Sequence, residues 1–374
     1  MYIPYGRQSI DEEDINAVID ALQSDYLTTG PKVEEFEKAV ANYTGAKYAV
    51  AVTNGTAALH IACLAAGITK GDEVITSPIT FAASSNCVLY CGGKTVFADI
   101  EMDSYNINPL EIEKLITDKT KAIIPVHFTG QPCNMGEITR IAREHNLIVI
   151  EDAAHALGAS YGEKKIGCIS DMTILSFHPV KHITTGEGGM ILTNSKELYQ
   201  RLKLFSTHGI TRDEGLLLKN DGPWYYEQQE LGFNYRITDI QCALGISQLK
   251  KLPAFLERRR EIAKRYDMEL GNMKDLQLPP QKALRENAWH LYVILVPAKR
   301  RSELFYSLRQ AGIGVNVHYL PVYQHPYYQK NGYEEVHCTN AEEYYSRAIS
   351  IPMYAGLTYE LQTLVIEEIK RLMK

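Results

Sequence analysis

Between residues 46 and 194, short runs of aliphatic and β-branched residues alternate with longer segments of helical periodicity. This alternation is typical of a mostly parallel β-sheet covered by helices on both faces, because parallel strands need a crossover connection. It predicts helices that include residues 57–66 and 135–145. The predicted strands lie at residues 46–52, 73–78, 95–100, 122–128, 147–152, 172–177 and 189–193.

The N-terminal arm that precedes this region has a helical pattern of its own. It predicts one helix at residues 12–22 and a second helix that opens at Gly30-Pro31, where proline suits the first helical turn. Val33, Phe36 and Val40 recur on one face of the second helix, so we expect that helix to pack on the sheet.

The pattern changes again after about residue 250. A long charged helix is predicted at residues 253–270, and strands are predicted at residues 289–296 and 314–319. We therefore predict an α/β fold in which the N-terminal arm and a large domain occupy residues 1–250. A smaller α+β domain would occupy residues 251–374.

Residues 209–232 do not fit either domain pattern. They carry charges, Gly222-Pro223 and the aromatic run Trp224-Tyr225-Tyr226. Long loops in compact domains are often functional, and this one could reach a neighbouring subunit. A surface excursion without a function explains the same pattern equally well.

Composition narrows the possible partners of this 374-residue chain. Its net charge of −6 argues against nucleic acid and membrane surfaces, which bind basic stripes. The seven cysteines form no CxxC motif, and no hydrophobic leader follows Met1, so we expect a cytoplasmic protein. The eleven histidines show no metal-ligand spacing, and we expect no metal.

The turn Asn54-Gly55-Thr56-Ala57 joins a predicted strand to a predicted helix and is the first candidate for chemistry. Free backbone N–H groups and the positive end of the helix dipole meet at such a turn and suit a phosphate. Turns of small residues are common in α/β proteins, so this one alone does not establish a site.

Asp152 ends the apolar strand at residues 147–152, where open parallel sheets present ligand-binding side chains. A buried carboxylate there needs a cationic partner, such as the protonated pyridine nitrogen of a cofactor. It could equally cap a helix that begins at Ala153. His155 could lie beside the cofactor ring or be a core histidine.

Lys181 follows the strand predicted at residues 172–177. A lysine among apolar and glycine residues loses its proton more easily than an exposed lysine and can act as a nucleophile. Ser176 lies five residues earlier and can donate a hydrogen bond to a phosphate. A loop lysine is usually only solvated, so it is the combination with Asp152 and the turn at residues 54–57 that favours chemistry.

In this order, the three segments resemble the fold-type-I pyridoxal 5'-phosphate (PLP) enzymes of the DegT/DnrJ/EryC1/StrS sugar aminotransferase family. The resemblance runs nearly end to end. It is carried by Leu27-Thr28-Thr29-Gly30-Pro31, Asn54-Gly55-Thr56-Ala57-Ala58-Leu59-His60, Glu151-Asp152-Ala153-Ala154-His155-Ala156-Leu157-Gly158, Gly232-Phe233-Asn234-Tyr235-Arg236 and Val317-His318-Tyr319.

The stretch from residue 176 to residue 189 is most similar to the branch of this family that acts in pseudaminic acid biosynthesis. Here His182 stands where a proline is usual. This departure adjoins Lys181 but leaves its amine in place, so we expect the same reaction.

The resemblance implies that Lys181 is the Schiff-base lysine, which forms an aldimine with PLP, and that Asp152 pairs with the ring nitrogen. Phe81 would stack on the ring. Cofactor contacts would come from Gly55, Thr56, Phe81, Asp152, His155, Ser176, Lys181 and, from the partner subunit, Asn234. Because Asn234 acts across the subunit boundary in this family, the resemblance also implies a homodimer with composite active sites.

The resemblance also implies contacts to a nucleotide sugar. They lie near both ends of the chain, at the turn of residues 54–57 (hereafter the phosphate turn), at Ser176 and at Asn234. These positions are Tyr5, Asp25, Tyr26, Leu27, Thr28, Gly55, Ser176, Asn234, His318, Tyr319, Leu320, Pro321 and Val322.

The implied activity is transfer of an amino group from L-glutamate, through pyridoxamine phosphate, to carbon 4 of a UDP-linked 4-keto-6-deoxy N-acetyl sugar. Another 4-keto or 3-keto nucleotide sugar stays open as the substrate. A non-catalytic PLP or nucleotide-sugar binding protein also stays open. Dehydratases of the same family carry histidine in place of the Schiff-base lysine, so the presence of Lys181 favours transamination.

Overall fold

A computed structural model describes residues 2–374. The α-helices are α1 (Glu12–Gln23), α2 (Pro31–Thr44), α3 (Gly55–Ala65), α4 (Ala83–Tyr90), α5 (Pro109–Leu115), α6 (Met135–Glu144), α7 (Lys196–Ser206), α8 (Asp239–Leu270), α9 (Ala298–Gln310), α10 (Pro326–Tyr328), α11 (Thr339–Arg347) and α12 (Tyr359–Met373). The strands are β1 (Tyr48–Val52), β2 (Glu73–Thr76), β3 (Lys94–Phe97), β4 (Thr120–Ile124), β5 (Ile148–Asp152), β6 (Ser160–Tyr161), β7 (Lys164–Lys165), β8 (Met172–Ser176), β9 (Gly189–Thr193), β10 (Ile210–Thr211), β11 (Glu227–Gln228), β12 (Arg285–Glu286), β13 (Tyr292–Leu295) and β14 (Ala348–Ile351).

The central sheet has seven strands in the order β1-β9-β8-β5-β4-β2-β3. Neighbouring strands run parallel from β8 to β3, whereas β9 is antiparallel to both β1 and β8. Each strand overlaps a strand that the sequence predicts, which confirms the mostly parallel α/β sheet. Strand β1 lies at one edge of the sheet, but it runs in the same direction as β8 and β5, because β9 is antiparallel to both of its neighbours. The residues that follow β1, β5 and β8 therefore lie at the same end of the sheet.

The helix ends follow local sequence signals. Gly30 and Pro31 open α2 as predicted. Asn54 caps α3 through its side chain, which accepts the Ala57 N–H group. Thr238 and Gln241 form a reciprocal capping box at the start of α8.

Two predictions in the C-terminal half are wrong. The long charged helix begins at Asp239 and not at residue 253, because its capping box lies at Thr238 and the helix continues through Pro253. Residues 314–319 do not form a strand. Asn316 pairs with Ser350 of β14 in an isolated bridge, and the chain then turns into the wall of a cavity.

Helix α8 packs against two hydrophobic cores. Leu252 and Leu256 join the core around β8 and β9, whereas Ile262 and Tyr266 join a second core around β13 and β14. The predicted domain division after residue 250 lies inside this helix and stays a prediction.

Residues 209–232 contain the short antiparallel pair of β10 and β11. Several large apolar side chains of this segment are exposed, with Trp224 exposed by 72% and Leu231 by 80%. Within residues 2–374, no helix is both long and apolar enough to cross a membrane.

Candidate active site

The ends of β1, β5 and β8 surround a cavity of about 860 Å³. Asn54, Asp152 and Ser176 lie on its wall, one from the end of each strand. Lys181 lies on the same wall, and residues 316–319 contribute another part of the lining. The cavity therefore brings together the three segments in which the sequence predicts chemistry.

The turn between β1 and α3 has the form of a phosphate cradle. The first N–H groups of a helix have no partner within the helix and point out of its N-terminus. Gly55 lies against Ser176, since an added β-carbon at Gly55 would be 3.2 Å from the Ser176 β-carbon. The Ser176 hydroxyl thus lies beside the helix N-terminus, where both can bind one anion.

Asp152 is held from two sides. Its Oδ2 atom accepts a hydrogen bond from the Ser84 hydroxyl at 2.6 Å, and its Oδ1 atom accepts the Ala154 N–H group at 3.1 Å. No helix begins at Ala153, where the chain forms turns, so the alternative of a helix cap is wrong. Asp152 is 6% exposed and lines the cavity.

A buried network lies next to Asp152 along β5. His127 Nδ1 accepts the Cys133 N–H group at 3.0 Å, so the ring proton is on Nε2, which donates to Glu151 at 2.7 Å. The Ser170 and Thr173 hydroxyls also donate to Glu151. In addition, the His127 N–H group donates to the Asp152 carbonyl, so this network fixes the backbone that carries Asp152.

Lys181 lies in a turn after β8, where its N–H group donates to the His178 carbonyl. Burial of the amine lowers the pKa of Lys181 from 10.5 to about 8, although the negative charge of Asp152 acts in the opposite direction. A substantial fraction of the amine is therefore neutral near physiological pH. A neutral Nζ atom can attack a carbonyl group and can accept a proton.

Three buried histidines surround this wall of the cavity, and burial is the main cause that lowers the pKa of each. The His155 and His290 rings are 4.2 Å apart, and the Nδ1 atom of each is buried without a hydrogen-bond partner among the described residues. His318 donates from Nδ1 to Ser350, because its Nε2 atom accepts from Asn316. These rings are neutral at physiological pH.

His182 lies outside this lining. It is buried, and its Nε2 atom donates to the Ala288 carbonyl at 3.0 Å. Burial lowers the pKa of His182 well below its ordinary value. The departure next to Lys181 thus points into the protein and not into the cavity.

The structure brings ten of the predicted site residues to this cavity. They are Tyr5, Gly55, Thr56, Phe81, Asp152, His155, Ser176, Lys181, His318 and Tyr319. Phe81 is 62% exposed on the cavity wall, and its ring lies 6.3 Å from that of Tyr319.

The other predicted site residues do not line the cavity of their own chain. Five of them are exposed at the surface, namely Asp25, Tyr26, Leu27, Thr28 and Asn234. The other three follow the lining segment at residues 316–319: Leu320 is half-buried, and Pro321 and Val322 are buried. Their roles stay predictions that need a second subunit or a bound substrate.

Sequence reasoning missed several lining residues. Thr80, His178, Glu187 and Asn316 contribute to the cavity, and Ser84 contacts Asp152 from behind. No motif identifies Ser84, because its partner is distant in the chain. His178 and Glu187 flank Lys181 in sequence and could have been found by proximity.

These residues fit PLP. The cofactor carries a phosphate, for which the α3 N-terminus and Ser176 provide donors, and a ring nitrogen that is cationic when protonated, for which Asp152 provides a counter-charge. The unpartnered Nδ1 atom of His155 is a buried polar atom at the same cavity. Lys181 provides an amine of lowered pKa for its aldehyde.

The sequence profile of the DegT/DnrJ/EryC1/StrS aminotransferase family matches residues 8–370. The spore coat polysaccharide biosynthesis protein SpsC of Bacillus subtilis is 42% identical over 100% of this chain and 97% of its own length. The UDP-4-amino-4,6-dideoxy-N-acetyl-beta-L-altrosamine transaminase of Campylobacter jejuni is also 42% identical, over 94% of this chain and 92% of its own.

Solved structures of sugar aminotransferases have the same fold as this chain. The Helicobacter pylori aminotransferase PseC, which is involved in pseudaminic acid biosynthesis, superposes with a TM-score of 0.93 at 34% identity, over 100% of this chain and 99% of its own. The PLP form of a putative sugar aminotransferase from Streptococcus pneumoniae gives a TM-score of 0.94 at 30% identity, with the same coverage.

Proposed function

The chain belongs to the DegT/DnrJ/EryC1/StrS aminotransferase family and is a PLP-dependent sugar aminotransferase, and from this premise we propose that it transfers an amino group from L-glutamate to carbon 4 of a UDP-linked 4-keto-6-deoxy N-acetyl sugar. The observation that carries the proposal is the single cavity of about 860 Å³ shared by Lys181, Asp152 and the phosphate turn. Similarity to the Campylobacter transaminase supports this sugar and a place in pseudaminic acid biosynthesis.

When bound, PLP supplies an electron sink for the negative charge that develops on a substrate carbon. Lys181 carries the proton. Its pKa of about 8 lets Nζ accept a proton from the donor carbon and return one to the sugar carbon near neutral pH. The Asp152 carboxylate, held by Ser84 and Ala154, keeps a proton on the ring nitrogen.

The sugar would meet the wall formed by Tyr5, His318 and Tyr319. The rings of Tyr5 and His318 are 5.5 Å apart, and the Tyr319 hydroxyl lies 3.5 Å from His155 Nε2. The two tyrosine hydroxyls can each donate and accept hydrogen bonds, which suits sugar hydroxyls and an N-acetyl group. Since hydrogen bonds with Asn316 and Ser350 fix the orientation of the His318 ring, this wall can discriminate between sugar epimers.

A panel of keto sugars tests the substrate. With glutamate as donor, kcat/KM for the UDP-linked 4-keto sugar of L-arabino configuration should exceed that for its D-xylo epimer and for a dTDP-linked 4-keto sugar by at least about tenfold. A site built to hydrogen-bond one epimer leaves buried polar groups unpaired with the other. Preference for either competitor would replace the sugar assignment and leave the aminotransferase intact.

Another nucleotide 4-keto or 3-keto sugar is the second candidate. SpsC is as identical to this chain as the altrosamine transaminase is, over a larger share of the sequence, and its name specifies no sugar. The same panel decides between the two candidates.

We also propose a homodimer with composite sites, in which Asn234 of one subunit completes the phosphate site of the other. Asn234 is exposed and lies outside the cavity of its own chain, which supports a role across a subunit boundary. The exposed apolar side chains of the segment at 209–232 would contribute to the same subunit interface.

Mixed dimers test this arrangement. Lys181→Ala and Asn234→Ala subunits, each with little activity alone, should recover activity when they exchange, because one hybrid site contains both intact residues. Random pairing restores about a quarter of the sites. The matched control mixes Lys181→Ala with Asp152→Asn subunits and should recover nothing, because both residues line one cavity of one chain. Equal results from the two mixtures would contradict the composite site.

A further inference from the structure

The hydroxyl groups of Thr80 and Ser84, to which the sequence assigns no role, connect the cavity wall to Asp152. Ser84 and Thr80 are 0% and 3% exposed, and their side-chain oxygens are 2.7 Å apart. Ser84 Oγ lies 2.6 Å from Asp152 Oδ2 and 3.3 Å from the Phe81 carbonyl. Thr80 and Phe81 lie in the segment that leads into α4, and Ser84 lies in the first turn of that helix.

The direction of these bonds follows from counting protons. Ser84 has one hydroxyl proton, and the shortest of its contacts is with a carboxylate, where a charge-assisted hydrogen bond is strongest. Ser84 therefore donates to Asp152 and is free to accept from Thr80. This defines a hydroxyl relay that runs from Thr80 through Ser84 to Asp152.

We propose that Ser84 is a positioning residue for the transamination, and that Thr80 assists it through this relay. The inference rests on the proposed pairing of Asp152 with the ring nitrogen. The Ser84 bond occupies Oδ2 and the Ala154 N–H group occupies Oδ1, so the carboxylate has one orientation, with its remaining lone pairs available to the cavity.

The relay also sets the basicity of the carboxylate. A hydrogen bond to a carboxylate stabilises its charged form and weakens its hold on a proton. With the relay intact, the proton shared between Asp152 and the ring nitrogen stays on the nitrogen. Without it, Asp152 becomes the stronger base and draws the proton toward itself, and the ring becomes a weaker electron sink.

This segment connects the two residues that are proposed to contact the PLP ring, Phe81 and Asp152. The Ser84 N–H group donates to the Phe81 carbonyl, so the aromatic wall residue and the donor to Asp152 are joined within three residues. Ser84 itself does not line the cavity. Ser84→Ala keeps the N–H group that bonds to Phe81 and removes only the hydroxyl that donates to Asp152, so its effect on the reaction passes through Asp152.

The experiment uses holoenzyme reconstituted with PLP labelled with nitrogen-15 at the ring nitrogen, whose chemical shift reports ring protonation. In Ser84→Ala the resonance should move toward the unprotonated position, and the half-reaction with glutamate should slow by about ten- to a hundredfold. Thr80→Val should shift the resonance and slow the half-reaction in the same direction but to a smaller extent, because Thr80 contacts Asp152 only through Ser84. The nearly isosteric Thr80→Val variant also serves if Ser84→Ala does not fold.

Two controls separate this role from a structural one. Ser85→Ala removes the neighbouring buried hydroxyl, which contacts Thr95 and Tyr328 and not Asp152. It should leave the resonance at the wild-type position, as should Thr80→Ser, which keeps the hydroxyl.

A wild-type resonance in both Ser84→Ala and Thr80→Val would overturn the proposal, as would an equal shift in Ser85→Ala. The resonance does not depend on the identity of the sugar. Failure of the proposed substrate is therefore distinguishable from failure of the relay.

Discussion

Replacing Lys181 with alanine is expected to abolish turnover, with a loss of at least about 10⁴-fold, because the variant lacks both the nucleophile and the proton carrier. The protein should still bind PLP, since the phosphate turn and Asp152 are unchanged. Single-turnover assays with glutamate measure the loss. Lys181→Arg is the matched control, because its guanidinium keeps a positive charge but stays protonated and cannot act as a base.

The attachment site can be mapped directly. Borohydride reduction of the wild-type holoenzyme, followed by peptide mapping, should place the pyridoxyl group on Lys181. A label on another lysine would contradict the assignment even if Lys181→Ala were inactive.

The pH dependence of cofactor capture gives an independent measure of the same amine. Only neutral Nζ reacts, so the rate at which apoenzyme captures PLP should rise with pH and level off above about 8, the pKa to which burial lowers Lys181. An ordinary lysine, with a pKa of 10.5, would place the rise more than two pH units higher. A profile that still climbs at pH 10 would show that the amine is not desolvated.

The sheet was predictable because its strands are runs of apolar residues between turn signals. Val50, Ile150 and Ile174 are each at most 1% exposed, so nearly every side chain of these strands faces a core and the hydrophobic run is continuous. Residues 314–319 have a similar composition but do not form a strand. They pair with β14 at one position only, and residues 316–319 line a cavity, which local propensity does not encode.

The start of α8 was predictable in principle. Thr238 and Gln241 have the spacing of a capping box, which marks the true start of the helix. The predicted start at residue 253 instead treats Pro253 as the first helical residue. Proline removes one N–H group from a helix but does not end it when the surrounding turns are well packed, and Leu252 and Leu256 are buried on either side.

Sequence reasoning found the groups that would touch the cofactor and missed those that hold them. Lys181 and Asp152 belong to motifs that a resemblance can carry. Ser84 reaches Asp152 across 68 residues, and His290 packs on His155 across a still longer separation. Such contacts depend on how β5, α4 and the C-terminal region meet in space, so no local pattern predicts them.

Replacing Asp152 with asparagine should leave PLP bound but slow the half-reaction with glutamate by about 10²- to 10³-fold, which corresponds to about 2.7–4 kcal/mol of barrier. Asparagine has nearly the same shape: its Oδ1 atom can still accept the Ala154 N–H group, and its NH₂ group can donate to the Ser84 oxygen, so the local structure should persist. What it lacks is the negative charge that keeps a proton on the ring nitrogen. Glu37→Gln is the matched control, because Glu37 of α2 is also a buried carboxylate but contacts Ala51 and Lys203 and does not line the cavity. Stopped-flow absorbance should show the loss in Asp152→Asn and a rate near that of wild type in Glu37→Gln. Similar rates in the wild type and Asp152→Asn would mean that Asp152 serves only the turn at Ala154, and would remove the basis for assigning the ring nitrogen to it.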